Sequence, residues 1–152
     1  MSQPDQLYAD DFSPGDRFEG AANDLTEESF RHFAEMTGDA HPIHYDAAYA
    51  AKTRFGRPLA HGLLLMGMTA LGATPLSDRL TDAMVAFLDQ GCRFLKPAFV
   101  GDTVTSAFEV AEVKIKPDRD TGIVKFAVTL TNQEGETLLE GHHLYLIRQR
   151  PA

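Results

Sequence analysis

The sequence predicts an α+β fold in which an antiparallel sheet wraps around a long central helix. The run from Gly62 to about Leu76 is apolar on every side, which is typical of a buried helix. Residues 84–148 are instead rich in Val, Ile, Phe, Thr and Tyr, and turn signals divide them into four segments. Successive strands that pack on one helix belong to the α+β class.

Two shorter helices are predicted before the central one. The stretch Asp24-Leu-Thr-Glu27 has the form of a capping box, and apolar residues at helical spacing predict a helix over residues 25–36. Gly38 ends this helix. Asp46 can cap a second short helix, AAYAAK, which stops by Gly56.

The strand segments carry their own signals. In TGIVKFAVTLTN the apolar residues occupy every second position, which predicts one buried face formed by Val124, Phe126, Val128 and Leu130. The stretch DRFEG near the N-terminus can add a further strand. A long sheet wrapped on one central helix is the arrangement called the hotdog fold.

Composition and charge limit the classes of function. The chain has 152 residues, 43% of them hydrophobic, so we expect one domain over residues 1–152, with residues 1–12 as a mobile or loosely docked arm. The formal net charge of −8 argues against a sequence-independent nucleic-acid binder. No apolar run reaches the roughly 20 residues of a membrane helix and no secretory signal is seen, so a cytoplasmic protein is expected. The single cysteine, Cys92, is expected to be a buried, inert thiol.

The stretch TGDAHPIHYD, residues 37–46, concentrates groups that handle protons. Pro42 blocks a helix, so Asp39 and His44 belong to a loop that can direct both side chains at one spot. A carboxylate and an imidazole that share a water molecule form a general acid/base pair. Two other interpretations stay open: a polar turn beside a packed histidine, and a metal site formed by His41, His44 and Asp46.

The pair His61-Gly62 stands where an extended segment enters the central helix. The first amides of a helix have no backbone partner, and Gly62 has no side chain to keep a ligand oxygen away. This arrangement suits an oxyanion hole, in which a fixed N–H polarises a carbonyl group. A glycine that is needed only for helix packing is an equally good interpretation.

Three motifs together form a recognisable pattern. They are Gly38-Asp39-x-x-Pro42-Ile43-His44-x-Asp46, Arg57-Pro58-x-x-His61-Gly62, and Phe94-x-x-Pro97-x-x-x-Gly101-Asp102-Thr103-Val104. This pattern resembles the MaoC-like dehydratase family, which includes the (R)-specific enoyl-CoA hydratases. The first two motifs are fairly specific, whereas the third also occurs in other hotdog proteins.

The resemblance implies a hotdog homodimer that adds water, in the syn sense, to the double bond of a 2-enoyl thioester. Asp39 and His44 would activate the water, and the Gly62 amide would polarise the thioester carbonyl. His41, His61 and Arg57 would bind the substrate, although many members have asparagine at the position of His41. The resemblance implies no metal and no redox cofactor, with a coenzyme A thioester as the substrate.

Cations close to the motifs are candidates for binding the phosphates of coenzyme A. They are Lys52, Arg54, Arg57, Arg93 and Lys96. Of the neighbours His142 and His143, we expect one ring to be exposed and one to be packed, with no catalytic role.

Two functions compete with hydration: a thioesterase on the same fold, and a non-catalytic protein that binds acyl thioesters.

Overall fold

The computed structural model describes residues 5–152 and confirms the α+β class. The strands are β1 (Arg17–Glu19), β2 (Asn23–Asp24), β3 (Met84–Phe94), β4 (Thr103–Ile115), β5 (Thr121–Thr131) and β6 (Thr137–Arg148). They form an antiparallel sheet in the order β1-β4-β5-β6-β3, and β2 pairs with the start of β4. The four segments between residues 84 and 148 are strands, as predicted, and DRFEG contributes β1.

The helices are short and lie before β3. They are α1 (Glu27–Thr37), α2 (Ala47–Ala50), α3 (Gly62–Gly67) and α4 (Leu76–Arg79). Single 3-10 turns occupy Ala9–Asp11, Pro42–His44 and Leu71–Ala73. No helix among residues 5–152 is long and apolar enough to cross a membrane.

The buried face of the sheet follows the predicted alternation. Val124, Phe126, Val128 and Leu130 on β5 are each at most 1% exposed. At one end of this face, Phe30 of α1 and Leu64 and Leu65 of α3 pack against Leu130, Leu138 and Leu139. This packing fixes the start of α3 against the sheet, close to the end of α1.

The central helix is shorter than predicted. It runs from Gly62 to Gly67, and the chain reaches Leu76 only after a 3-10 turn. Glycine weakens a helix, and the Thr69 hydroxyl donates a hydrogen bond of 2.6 Å to the Met66 carbonyl, which competes with the regular backbone pattern. The predicted burial on every side is also wrong for one face, because Leu63 is 60% exposed.

The cap of α1 differs from the predicted capping box. Asp24 belongs to β2, and its carboxylate accepts a 2.7 Å hydrogen bond from the Thr103 hydroxyl, so it does not cap a helix. Thr26 is the cap instead, and its side chain accepts from the Ser29 amide at 3.1 Å. The helix therefore starts two residues later than predicted, at Glu27.

Residues 5–12 are docked on the domain, in contrast to the predicted loose arm. Ala9 and Phe12 are buried in the hydrophobic core, and the Leu7 amide donates to the Arg79 carbonyl at 2.7 Å. Apolar burial of this kind outweighs the freedom of a terminal segment. Residues 1–4 of the predicted arm lie outside the described residues.

The side chain of Cys92 is partly buried, whereas full burial was predicted.

Candidate active site

The loop after α1 has a well-defined shape. Gly38 ends the helix with a positive φ of 79°, and its amide donates to the Ala34 carbonyl at 2.7 Å. Pro42 then opens a 3-10 turn that ends at His44. The Asp46 carboxylate accepts hydrogen bonds from two amides at the start of α2, so it acts as a helix cap. The proline and the two caps fix the path of the backbone around Asp39 and His44.

His44 is held by the extended segment that precedes α3. Its Nδ1 lies 2.7 Å from the Leu59 carbonyl oxygen. Because a carbonyl oxygen only accepts, Nδ1 carries a proton and donates it to this bond. In neutral His44 the Nε2 atom is therefore an unprotonated acceptor, as a general base requires.

Asp39, His44 and His61 converge. One oxygen or nitrogen from each side chain lies within 4.8 Å of the others. A water molecule that hydrogen-bonds to two groups at about 2.8 Å can span a gap of about 5 Å. The exposed carboxylate of Asp39 and the imidazole of His44 are therefore close enough to hold one water between them.

His61 is buried beneath His44 instead of facing a substrate. It is 2% exposed, and its ring stacks on that of His44 with centroids 3.8 Å apart and planes at 24°. Its Nε2 contacts the Tyr45 hydroxyl at 2.7 Å and the Asp39 carbonyl at 3.1 Å. Burial lowers the pKa of His61, so the ring is neutral at physiological pH. The predicted substrate contact is therefore corrected to a supporting position behind His44, because other side chains cover the ring.

Gly62 begins α3 immediately after this stack. The first bond within the helix runs from the Leu65 amide to the His61 carbonyl at 3.1 Å, so the Gly62 amide has no partner inside the helix. A Cβ at this position would lie 3.1 Å from the ring of Phe94. Both interpretations of Gly62 thus find support, since Phe94 packs against the glycine while the amide is available as a donor.

Two cavities open beside these residues. A groove of about 250 Å³, here called the Gly62 groove, is lined by Arg54, Phe55, Leu59, Ala60, Gly62, Leu65, Phe94, Leu95, Lys96, Pro97 and Ala98. A second cavity of about 270 Å³ is lined by Glu27, Arg31, His44, Tyr45, Ala47, Pro58 and Val100. In the single chain, His44 and Gly62 therefore line neighbouring cavities separated by the segment that carries Leu59 and His61.

His41 and Arg57 lie at the surface around the site. The Nδ1 atom of His41 accepts a hydrogen bond from the Ile43 amide at 3.2 Å, which leaves its Nε2 as an outward donor. The Arg57 guanidinium lies 3.9 Å from the centre of the Phe99 ring. Their predicted substrate contacts stay predictions.

The five candidate cations fall into two groups. Lys52, Arg54 and Arg57 are exposed and form no salt bridge with any of residues 5–152. Lys96 is paired with Glu136 and Arg93 with Glu140.

Arg93 also lines a separate groove, together with Ala127 and His142 of neighbouring strands. Among the three unpaired cations, Arg54 lines the Gly62 groove, whereas Arg93 does not.

The alternative metal site does not form as predicted from His41, His44 and Asp46, because Asp46 caps α2. The cluster of Asp39, His44 and His61 offers three donor atoms, but its two rings are stacked nearly parallel. Lone pairs on parallel rings do not converge on one ion, so metal binding would require a ring to turn.

Two contributors to the site carried no distinct sequence signal. Tyr45 occupies an unspecified position between His44 and Asp46, and Phe94 was noted only as part of a strand motif. Their roles depend on contacts with His61 and Gly62, which are distant in sequence.

The predicted burial of His142 and His143 is confirmed. His143 is 4% exposed, whereas His142 is partly exposed and lies 2.9 Å from the carboxylate of Asp89.

Comparison with known proteins supplies the family context. Residues 11–133 match the family model described as MaoC like domain. The (R)-specific enoyl-CoA hydratase of Aeromonas caviae is 34% identical over 109 residues, which make up 72% of this chain and 76% of that protein.

Solved structures confirm the hotdog fold. The monoamine oxidase regulatory protein of Archaeoglobus fulgidus has a TM-score of 0.91 and 32% identity over 99% of this chain and 100% of that chain. A Mycobacterium tuberculosis protein described as having a double hotdog fold has a TM-score of 0.79 and 25% identity. That alignment covers 96% of this chain but only 45% of the double hotdog, so the two proteins share one hotdog unit.

Proposed function

This chain belongs to the MaoC-like dehydratase family, and from that premise we propose that it hydrates the double bond of a 2-enoyl thioester. The reverse reaction would dehydrate a 3-hydroxyacyl thioester. The proposed substrate pair is an enoyl-CoA and the (R)-3-hydroxyacyl-CoA. The name of the Aeromonas relative supports this reaction and this configuration.

One observation carries the proposal: one polar atom from each of Asp39, His44 and His61 lies within 4.8 Å of the others, and Gly62 follows His61 in the chain. A protein that only bound a thioester would not need an aspartate and a histidine at water-bridging distance. The hydrogen bond from His44 Nδ1 to the Leu59 carbonyl leaves the acceptor Nε2 for that water.

In the proposed hydration, Asp39 and His44 hold one water molecule. The Asp39 carboxylate accepts a proton from the water, and His44 Nε2 accepts a hydrogen bond from its second hydrogen. The water oxygen forms a bond to the β-carbon, while the electrons of the double bond move towards the thioester carbonyl. Transfer of the proton from Asp39 to the α-carbon, on the same face, completes syn addition and restores the carboxylate.

The amide of Gly62 is proposed to stabilise the negative charge that develops on the thioester oxygen. It is a fixed donor with no partner inside its helix, and glycine presents no side chain to the approaching oxygen. The Gly62 groove would then hold the thioester end of the substrate, and its walls Phe55 and Phe94 are apolar.

We propose coenzyme A as the carrier, with no metal and no redox cofactor. Hydration changes no oxidation state overall, so the residues described above suffice for the proton transfers. The unpaired cations Lys52, Arg54 and Arg57 are proposed to bind the phosphates.

The active form is proposed to be a homodimer. Strand β3 is an edge strand, and Val85, Phe87 and Leu88 on it are 46%, 56% and 47% exposed. An open apolar edge normally pairs with another chain. The likeness to one half of a double hotdog chain supports a second copy as the cover.

Incubation of the purified protein with crotonyl-CoA tests the reaction. Hydration removes the absorbance of the enoyl group without releasing thiol, and chiral analysis of the product should give the (R)-3-hydroxyacyl form. Release of free thiol would indicate the alternative thioesterase. A protein that binds crotonyl-CoA without changing it would refute both catalytic assignments.

That last outcome describes the second candidate, a non-catalytic protein that binds acyl thioesters. The observation in its favour is that the Archaeoglobus structure, with a TM-score of 0.91, is described as a regulatory protein. The presence of both Asp39 and His44 favours hydration, because a binding protein does not require this pair.

A further inference from the structure

We propose that Tyr45 is a positioning residue for the hydration, because its hydroxyl holds the His61 ring on which His44 stacks. This inference rests on the proposed function and extends it to a residue outside the predicted site. It predicts that one hydroxyl group, which need not touch the substrate, controls the geometry of the acid/base pair.

The Tyr45 hydroxyl connects three parts of the chain. It lies 2.7 Å from His61 Nε2, 3.0 Å from the Asp39 carbonyl oxygen and 3.1 Å from the Phe30 carbonyl oxygen. These contacts tie the loop that carries Asp39 to helix α1 on one side and to the start of α3 on the other. Asp39 is therefore held through its own backbone.

The donors and acceptors assign the protons in this cluster. Both carbonyl oxygens can only accept, and the Tyr45 hydroxyl has one proton, which it donates either to a carbonyl oxygen or to His61 Nε2. His61 Nε2 also contacts the Asp39 carbonyl, at 3.1 Å, and this contact requires a proton on Nε2. The single Nε2–H proton is therefore shared between the Tyr45 oxygen and the Asp39 carbonyl oxygen, the Tyr45 hydroxyl donates to a carbonyl oxygen, and Nδ1 of neutral His61 is unprotonated.

Two further observations agree with this assignment. The Nδ1 atom of His61 is buried and has no hydrogen-bond partner among residues 5–152, as an unused acceptor would be. Burial, with a smaller contribution from the charge of Asp39, raises the pKa of Tyr45, so the phenol keeps its proton at physiological pH.

The assignment explains how His44 is held. Its edge is fixed by the Leu59 carbonyl at 2.7 Å, and its face is fixed by the His61 ring at 3.8 Å. Rotation of the His61 ring would break its bond to Tyr45. Without the hydroxyl, the His61 ring and the Asp39 backbone each lose a restraint. The distance between the Asp39 carboxylate and the His44 imidazole then varies over a wider range.

The test compares Tyr45→Phe with Tyr49→Phe. Tyr49 is a matched control: it is 42% exposed against 37% for Tyr45, its ring contacts His41, and its hydroxyl has no hydrogen bond with any of residues 5–152. Hydration of crotonyl-CoA gives kcat and KM for each variant. Imidazole ¹⁵N shifts, assigned with a His61→Gln spectrum, give the tautomer of His61 without any substrate.

We expect Tyr45→Phe to lower kcat by about tenfold to a hundredfold with KM within about threefold, since misplacement of reacting groups by about 1 Å has an effect of this size. Tyr49→Phe should stay within about twofold in both constants. Wild-type His61 should show the Nε2–H tautomer, and Tyr45→Phe should shift the ¹⁵N resonance of Nε2, because one of the two acceptors of its proton is lost.

The outcomes separate the two proposals. An active wild type with an unchanged kcat in Tyr45→Phe would overturn the positioning role alone. A wild type that lacks hydration would overturn the proposed function and the positioning role together. A wild-type spectrum with the proton on Nδ1 of His61 would overturn the hydrogen-bond assignment, whatever the activity.

Discussion

The imidazole ring of His44 lies on the ring of His61, with centroids 3.8 Å apart and planes 24° from parallel. His61 is neutral and buried, so it supports His44 without placing a positive charge beside it. His44 is thus held from behind by a ring and from the side by a backbone carbonyl. Its remaining nitrogen is left for the water shared with Asp39.

Removal of either proposed acid/base group should nearly abolish hydration. We expect Asp39→Asn and His44→Ala each to lower kcat by at least about a hundredfold, because the first loses the acceptor of the water's proton and the second loses the hydrogen-bond acceptor that holds the water. Steady-state rates with crotonyl-CoA give the measurement. His32→Ala is the control, since that histidine is exposed and its Nε2 lies 3.7 Å from the carboxylate of Glu28. Near-normal hydration by either site variant contradicts the assigned roles.

Removal of metal ions should leave the proposed reaction unchanged. Dialysis against EDTA is expected to keep the wild-type kcat within about twofold, since proton transfer through Asp39 needs no ion. Added Zn²⁺ should inhibit, because Asp39, His44 and His61 offer three donor atoms within 4.8 Å that an ion could capture by turning a ring. Activity that is lost in EDTA and restored by one metal would show instead that the cluster is a metal centre.

Local signals predicted much of the site. Gly38 and Pro42 have strong backbone preferences, so a bent loop around Asp39 and His44 could be inferred from the sequence. The alternation of apolar residues along β5 likewise predicted which face of the strand is buried. The cytoplasmic location and the absence of nucleic-acid binding stay predictions.

Long-range contacts set the limits of prediction from sequence. The burial of His61 results from rings on α1 and from the loop, and Phe33 lies 4.6 Å from it, a contact that spans 28 residues. The role of Tyr45 depends on the same fold. The predicted length of the central helix was wrong because apolar side chains do not set where a helix ends, which here depends on Gly67 and on the hydrogen bond from the Thr69 hydroxyl to the Met66 carbonyl.

A methyl group on Gly62 distinguishes its two interpretations. Gly62→Ala keeps the amide but places a Cβ 3.1 Å from the Phe94 ring and beside the path of an approaching oxygen. We expect kcat/KM to fall at least about tenfold, and Phe94→Ala added to Gly62→Ala should not restore it. Gly67→Ala is the control, because a Cβ there meets no atom within 4 Å. Full recovery in the double variant would show that Gly62 serves only the packing of Phe94.

A charge on the open edge should break the proposed dimer. Leu88→Lys places an ammonium group on β3, where Leu88 is 47% exposed, and a lysine on an edge strand disfavours pairing with another chain. Sedimentation velocity should show the wild type at twice the chain mass of 16.7 kDa and the variant at the monomer mass. Ile115→Lys, at 41% exposure on β4, should leave the dimer intact. A wild type that is strictly monomeric and fully active contradicts the dimer.

Finally, His143 should make the protein less stable in mild acid. Burial lowers the pKa of His143 to about 4 from an ordinary 6.5, with the charge of His142 as a second cause. Below pH 6.5 the unfolded chain binds a proton that the folded chain excludes, so the free energy of unfolding falls until the pH approaches 4. At pH 5 the loss from this group is about 2 kcal/mol relative to neutral pH.

The measurement is urea unfolding of the wild type, His143→Gln and His32→Gln at pH 7.5 and pH 5, all at one protein concentration. Glutamine at position 143 can still accept from the Tyr145 hydroxyl, which lies 3.1 Å from His143 Nδ1, but it does not titrate. Between pH 7.5 and pH 5 the free energy of unfolding of His143→Gln should therefore fall by about 2 kcal/mol less than that of the wild type. The exposed His32 variant should follow the wild type. An equal pH dependence in all three proteins would show that His143 accepts its proton in the folded chain as readily as in the unfolded one.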